Sequence, residues 1–481
     1  MAGLDRREFL VRTAAAGGLL AGAGLFRGLV ARAAQGPGAR RRRGAGYGPL
    51  KPAGPELMLP EGFRYAVVSA EPVVMDDGYP TPRAFDGMAA FRLPDGRVRL
   101  VRNHEDRESA ASYRGLLARV LREARGPRAF AYDEVGGGGT TSLDVDPGTR
   151  RLLGHHWSLV GTIVNCAGGP TPWGSWITCE ETTDGPARGW AKKHGYCFEV
   201  PLDTQPGRPA PPVPLVRLGR FSHEAVAVDP ATGVVYETED AGDTSGFYRF
   251  VPERRPQRPG ELATLSGRLE MLAVRGAPGY ETAVDQKVGV PLPVEWVGVA
   301  EPDPDLEGGA PTVFAQGLSA GGARFRRLEG CWFGGGRVYF HSTSGGDRGL
   351  GQVWVYDVAA STLTLLFESD DPDVLDGPDN ICVTPRGGLV LCEDGGGTQF
   401  LRGLTPDGAI FDLARNTHNT SEFAGACFSP DGETLFVNIY GRSTTRVTTP
   451  RPGGEPVVHP PEAGERALTL AIWGPWAEGG L

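Results

Sequence analysis

Beyond its first 34 residues, this 481-residue chain holds no apolar run that could cross a bilayer as a helix, which takes about 20 residues. It has no Cys-x-x-Cys pair, so a zinc knuckle and a thioredoxin-type motif are excluded. A Walker loop and a His-Glu-x-x-His zinc-protease motif are missing too. Cations are in short supply: the net charge is −9, and five of the Arg lie in residues 1–34 beside only Asp5 and Glu8. The remainder carries 44 basic against 56 acidic residues, a net charge of −12. Nucleic acid is therefore a poor partner, because phosphate neutralisation needs Lys and Arg. Multivalent cations suit such a surface better. Long helices are excluded as well, since 72 Gly and 41 Pro interrupt them throughout. Disorder does not follow from this, because 40% of the residues are hydrophobic and 9% aromatic.

What is present first is an address. Asp5-Arg6-Arg7-Glu8-Phe9-Leu10 precedes an Ala/Gly/Leu-rich stretch from Ala14 to Phe26, and Ala31-Arg32-Ala33 has the small-x-small form of a cleavage site. The order resembles a twin-arginine export signal over residues 1–34, and export of that kind moves proteins already folded. Residues 35–46, with Arg40 to Arg43, read as a flexible basic N-terminus of the mature chain. The expected location is the periplasm or the medium, without a stable membrane anchor. Seven cysteines (Cys166, Cys179, Cys197, Cys331, Cys382, Cys392, Cys427) leave at least one unpaired in a monomer. In the simplest hairpin register Cys382 faces Leu391, which sends Cys382 and Cys392 to opposite faces and disfavours a bond between them.

From about residue 60 onward, short β-type runs alternate with turn clusters such as Pro94-Asp95-Gly96, Asp229 to Gly233, Pro385 to Gly388 and Pro430-Asp431-Gly432. Repetition at roughly 40–50 residues per unit predicts an all-β protein, a β-propeller spanning 47–481 as one domain. One helix is expected within residues 106–133, where Leu116, Leu117, Val120 and Leu121 share a face. Residues 252–320 read as an elaborated loop over one face of the disc.

Acidic residues recur at the ends of the β runs: Asp86, Glu105, Glu180-Glu181, Glu224, Glu239-Asp240, Glu329, Asp379, Glu393-Asp394 and Glu422. Singly, each is more often a turn cap or a solvated group than a ligand. Jointly they matter, because a propeller aims the same strand end of every unit at one axial funnel. Converging carboxylates repel unless cations neutralise them; oxygen donors favour Ca²⁺ and a thiolate among them admits iron.

Tyr47-Gly48-Pro49-Leu50, Leu59-Pro60-Glu61-Gly62-Phe63, Asn103-His104-Glu105 and Thr171 to Glu181 together resemble the PhoX-type alkaline phosphatases. Gly219 to Ala225, Arg327-Leu328-Glu329-Gly330, Gly351-Gln352-Val353-Trp354, Pro378-Asp379-Asn380, Glu422 to Gly425, Phe428 to Gly432 and Trp473-Gly474-Pro475-Trp476 continue the likeness in colinear order. The resemblance implies a six-bladed propeller that cleaves small phosphomonoesters with two Fe³⁺ ions, several Ca²⁺ ions and a bridging oxo group. It places an iron-bound thiolate at Cys179, metal-binding carboxylates at Glu224 and Glu329, and a phosphate-binding guanidinium at Arg327. Glu105, Glu180, Asp379, Glu393, Asp394 and Glu422 follow as further metal candidates. His223 reads as a support for the metal of Glu224. Arg suits the phosphate role because its fork binds two oxygens at once. Two other readings stand beside this one: a calcium-dependent propeller lactonase or phosphotriesterase, and a calcium-stabilised propeller that binds without turnover. The expected partners are the ester substrate and the twin-arginine machinery, and the expected state is a monomer.

Overall fold

The computed structural model describes residues 46–107, 126–405, 408–441, 446–448, 457–459 and 463–481. The expected export signal, nearly all of the basic N-terminus and the helix expected around residues 112–124 lie outside them.

Strands open the described chain as β1 (Leu50–Pro52), β2 (Leu57–Pro60) and β3 (Arg64–Ala70). A four-stranded meander follows: β4 (Phe85–Arg92), β5 (Val98–His104), β6 (Gly138–Val145) and β7 (Leu152–Thr162). The next unit has three strands, β8 (Asn165–Pro170), β9 (Ser175–Glu180) and β10 (Cys197–Pro201). Then come β11 (His223–Val228), β12 (Val235–Glu239), β13 (Phe247–Pro252), β14 (Gly267–Val274) and β15 (Pro291–Gly298), and after them β16 (Leu328–Gly334), β17 (Arg337–Ser342), β18 (Gln352–Asp357) and β19 (Thr362–Glu368). The chain continues with β20 (Pro378–Val383), β21 (Leu389–Glu393), β22 (Phe400–Leu404) and β23 (Ile410–Asn416). It ends with β24 (Phe423–Phe428), β25 (Leu435–Ile439), the hairpin β26 (Arg446–Thr448) and β27 (Val457–His459), and β28 (Leu468–Trp473).

The first strands of the units, β4, β8, β11, β16, β20 and β24, pack each against the next, and β24 packs against β4. These six inner strands close a circle, which is the propeller. Sheets and units do not coincide, because β15 pairs with β19 and fuses two units into a nine-stranded sheet, while β1 and β2 extend the sheet of β20–β23. N-terminal β3 pairs with C-terminal β28, so the two ends of the chain complete one sheet. Tyr47 donates to the Trp476 carbonyl at 3.1 Å and meets Phe63 and Trp476 edge-on, tying the same ends together.

The expected turns are formed. Gly96, Gly233, Gly387 and Gly432 all take positive φ, the conformation that glycine reaches without strain. Two expectations are corrected. Residues 252–320 are not one loop, since β14, β15 and a short helix α1 (Val313–Ser319) fall within them. The alternating apolar residues Leu269, Met271 and Ala273 of β14 are buried, and Val313 and Phe314 of α1 join the cluster around Met271 and Tyr248. In the β20–β21 hairpin Cys382 faces Val390, not Leu391, so Cys382 and Cys392 share a face and one core cluster. The turn from Thr384 to Gly388 sets this register by pairing Val383 with Leu389, and a bulge enters only beyond it, between Pro378 and Ile381. Both thiols are nevertheless free.

Candidate metal and phosphate site

Every inner strand carries a bulge at the same end: between Phe85 and Met88, Asn165 and Gly168, His223 and Val226, Leu328 and Cys331, Pro378 and Ile381, and Ala424 and Cys427. A bulge bends its strand and re-aims a side chain. At five of the six, the residue following the first is a potential ligand: Asp86, Cys166, Glu224, Glu329 and Asp379. A second position repeats just past each second strand, where Glu105, Glu181, Asp240, Thr343, Asp394 and Tyr440 stand. Glu422 enters immediately before β24. Small residues beside the bulges let the inner strands approach: a Cβ on Gly330 would lie 2.7 Å from the Asp379 carbonyl oxygen and the Ile381 nitrogen.

These side chains line one funnel of about 430 Å³, bounded by Asp86, Glu105, Cys166, Glu181, Glu224, Asp240, Glu329, Thr343, Asp379, Asp394 and Glu422 with Arg107 and Arg327. Nine carboxyl groups thus face two guanidiniums. Burial pushes the carboxyls of Asp86, Glu224, Glu329 and Glu422 well above the carboxylate range, and their neighbours' charges push them further. Glu181 moves the same way through burial and Glu105, although Arg107 opposes it. Asp379 is raised to about 7 by burial and then by Asp394. Burial and Glu224 likewise raise the Cys166 thiol.

Donor atoms meet in three overlapping sets: Cys166 with Glu181 and Glu224, Glu224 with Glu329 and Asp379, and Asp379 with Asp394 and Glu422, each set within 4.8 Å. Glu224 belongs to the first two and Asp379 to the last two, so the sets form a row. Oδ1 of Asp86 is buried beside them without a hydrogen-bond partner. A buried acid cluster with an orphaned oxygen fits multivalent cations, which restore the charged form. Beneath the funnel, Trp332 and Trp176 line a smaller axial space with Gly87, Gly330 and Gly425.

The guanidiniums sit at the rim. Arg327 Nη2 lies 2.9 Å from Asp240 Oδ2 and 3.0 Å from Glu329 Oε1, and its side chain is 45% exposed. Its φ is +42°, a left-handed backbone for a bulky residue, held by hydrogen bonds from the Arg327 amide to the Gly242 carbonyl and from the Thr343 amide to the Arg327 carbonyl. Arg107 pairs with Glu105 and with Glu181. Asn380 steadies the row, donating to Asp379 Oδ1 and accepting from the Gly425 amide, both at 2.9 Å.

Of the residues expected from sequence, Glu105, Glu224, Arg327, Glu329, Asp379, Asp394 and Glu422 meet in the funnel. Cys179, Glu180 and Glu393 do not. Cys179 lies on the second strand of its unit, packed in the core with its Sγ 3.6 Å from that of Cys197. The funnel thiol is Cys166, on the inner strand. Glu180 turns away to bind His194 at 2.7 Å and the amides of Ile163 and Gly195. Glu393 pairs with Arg402 at 2.7 Å. His223 likewise points into the core, toward Cys197 and Glu237, rather than supporting Glu224. Asp86, Glu181 and Asp240 are read from sequence only as acids recurring at strand ends, and Arg107, Cys166 and Thr343 are not read from it as site residues at all. The signal that finds them is positional: the residue after each bulge and the residue after each second strand. A Gly-x-Ser-x-Gly match does occur, at Gly317–Gly321, but it ends α1 and Ser319 Oγ bonds the Gln316 carbonyl at 2.7 Å, so it is no nucleophile turn.

Fold and funnel together define a β-propeller with an acidic, cation-binding centre and two guanidiniums at its mouth. The family model described as alkaline phosphatase PhoX matches residues 45–442, and the chain belongs to that family of metal-dependent alkaline phosphatases. It is therefore a phosphatase acting on small phosphate esters. Among solved structures, it is similar to Pseudomonas fluorescens PhoX in complex with vanadate, a transition state analogue. That match has a TM-score of 0.65 at 19% identity and covers 91% of this chain and 98% of the other. A gluconolactonase from Xanthomonas campestris gives a TM-score of 0.38 at 12% identity, covering 89% and 98%. No curated protein sequence matches. Among the described residues, no helix is long and apolar enough to cross a membrane.

Proposed function

We propose that the funnel is an iron- and calcium-dependent phosphomonoesterase centre, and that the protein is exported folded by the twin-arginine route and acts as a monomer in the periplasm or outside the cell. The observation that carries the metal reading is the row of donor sets with a thiol at one end only. Iron suits Cys166, Glu181 and Glu224 and the adjoining set across Glu224; calcium suits the all-carboxylate set of Asp379, Asp394 and Glu422. When bound, such cations supply Lewis-acid charge to the transferring phosphoryl group.

The chain's own groups bind and orient the ester. Arg327 uses Nε and Nη2 on Asp240 and Glu329, leaving Nη1 without a partner among the described residues. That donor is available to a phosphate oxygen, where it offsets charge developing in the transition state. Asp240 orients the guanidinium, which its exposure would otherwise leave mobile. Arg107, anchored by Glu105 and Glu181, presents a second guanidinium across the mouth.

Metal analysis of purified protein tests the reading. Iron and calcium are both expected, with iron lost selectively in Cys166→Ser. Retention of full iron in that variant contradicts it. Arg6→Lys with Arg7→Lys tests export, with the protein expected to stay in the cytoplasm.

A further inference from the structure

A second group of donors lies outside the funnel. Cys179 on β9 and Cys197 on β10 are directly opposed in register, with their sulfurs 3.6 Å apart. His223 Nδ1, at the start of β11, lies 3.4 Å from Cys197 Sγ and 3.4 Å from Oε2 of Glu237 on β12. All four residues are 0% exposed. We infer that Cys197, His223 and Glu237, whose donor atoms lie within 4.8 Å of one another, form a site for a structural zinc ion that the neighbouring Cys179 thiol completes, stapling the second unit of the ring to the third.

Three observations support it independently. The first is Glu237. Neither of its carboxylate oxygens has a hydrogen-bond partner, and its surroundings include the apolar core around Val226, Val235 and Phe250. An isolated buried carboxylate costs several kcal/mol or is held protonated, and even a protonated acid wants an acceptor. A cation satisfies it.

The second is the imidazole. His223 Nε2 lies 3.1 Å from the Gly219 carbonyl, so its N–H donates there and the Nδ1 lone pair faces the sulfur and the carboxylate. A histidine that gives one N–H to a backbone carbonyl while its other nitrogen faces anionic donors is the usual arrangement of a metal ligand. Phe221 stacks on the ring at 3.6 Å and fixes its plane.

The third is metric. A tetrahedron with bonds of about 2.3 Å to sulfur and about 2.0 Å to nitrogen or oxygen has edges of about 3.8 Å between sulfurs, about 3.5 Å from sulfur to nitrogen and about 3.3 Å from nitrogen to oxygen. The separations of 3.6 Å between the sulfurs, 3.4 Å from Cys197 to His223 and 3.4 Å from His223 to Glu237 match three of these edges. Sulfur and imidazole donors disfavour calcium, and full burial with Cys179 as the adjoining fourth donor leaves no open position for water, which is the mark of a structural rather than a catalytic site. A disulfide between Cys179 and Cys197 is the competing state in an oxidising compartment. It leaves Glu237 and His223 Nδ1 unanswered. The site shares no donor with the funnel sets.

The experiment is zinc quantification and zinc K-edge X-ray absorption on the purified full protein with its funnel metals in place. The expected result is about one zinc per chain with two sulfur and two nitrogen or oxygen neighbours, falling to near zero in the near-isosteric Glu237→Gln. Non-reducing peptide mapping of the unaltered protein gives a readout that needs no variant. A Cys179–Cys197 disulfide peptide, zinc well below one per chain, or zinc with no sulfur neighbour overturns the inference.

Discussion

Arg327 grips Asp240 through two nitrogens: Nε lies 3.2 Å and Nη2 2.9 Å from Asp240 Oδ2. The acid belongs to the third unit of the ring and the guanidinium to the fourth, so their pairing fixes the rim at the point where a phosphate arrives. Arg327→Ala is expected to lower kcat/KM by about 10²-fold or more, the scale of losing one preorganised donor. Arg327→Lys should recover little, because an ammonium lacks the fork. Asp240→Asn should fall between, chiefly through KM. Steady-state kinetics on the purified variants check all three.

Among the described residues, Cys166 is the only sulfur lining the funnel. Its replacement by Ser should abolish most turnover and any iron absorbance together, while circular dichroism stays that of a β protein. Iron-free protein that still turns over at the original rate contradicts the assignment.

Chelation should destabilise the protein in a pH-dependent way. In cation-free protein Asp379 rises from an ordinary 3.8 to about 7, through burial first and Asp394 second. A carboxyl raised on folding binds protons more tightly folded than unfolded, so stability falls as pH climbs from about 4 to about 7. Thermal melts across that range should diverge, with the chelated protein losing several degrees relative to the calcium-loaded form at pH 7 and above. Parallel melts refute the coupling.

His194 carries a dependence of opposite origin. Burial disfavours its charge, but Glu180 at 2.7 Å and Asp133 at 3.3 Å outweigh that and raise it from 6.5 to about 9. The stabilisation is full below about pH 6.5 and disappears as pH rises through 9, and its size is on the order of 3 kcal/mol. His194→Gln should therefore be less stable than the unaltered protein at pH 6.5 by urea denaturation, with the gap closing by pH 9.5.

Gly330 tests the crowding of the inner strands. A Cβ there meets the backbone of β20 at 2.7 Å, so Gly330→Ala should cost about 2 kcal/mol or more, read as a lowered urea midpoint.

The fold was legible because turn chemistry is local: Pro94-Asp95-Gly96 and Pro430-Asp431-Gly432 announce their hairpins with no tertiary information. Carboxylates such as Glu224, Asp379 and Glu422 were legible for a similar reason, since each begins or adjoins an inner strand. Cys179 was not, because choosing between it and Cys166 requires knowing which strand of the unit faces the axis. Glu180 and Glu181 differ by one residue, and strand alternation with the end of β9 between them sends one to His194 and the other to the funnel. Bulges decide such matters, and no composition or spacing reports a bulge. The fused β15–β19 pair was equally invisible, being a contact between residues far apart in sequence.

The most direct measurement is hydrolysis of p-nitrophenyl phosphate at alkaline pH by purified, exported protein, before chelation, after chelation, and after calcium is restored. The account predicts turnover that vanishes with the chelator, returns with calcium, and falls about 10²-fold or more in Arg327→Ala and for the most part in Cys166→Ser. Turnover indifferent to chelation, or undiminished in both variants, contradicts a metal-dependent phosphatase centre in this funnel.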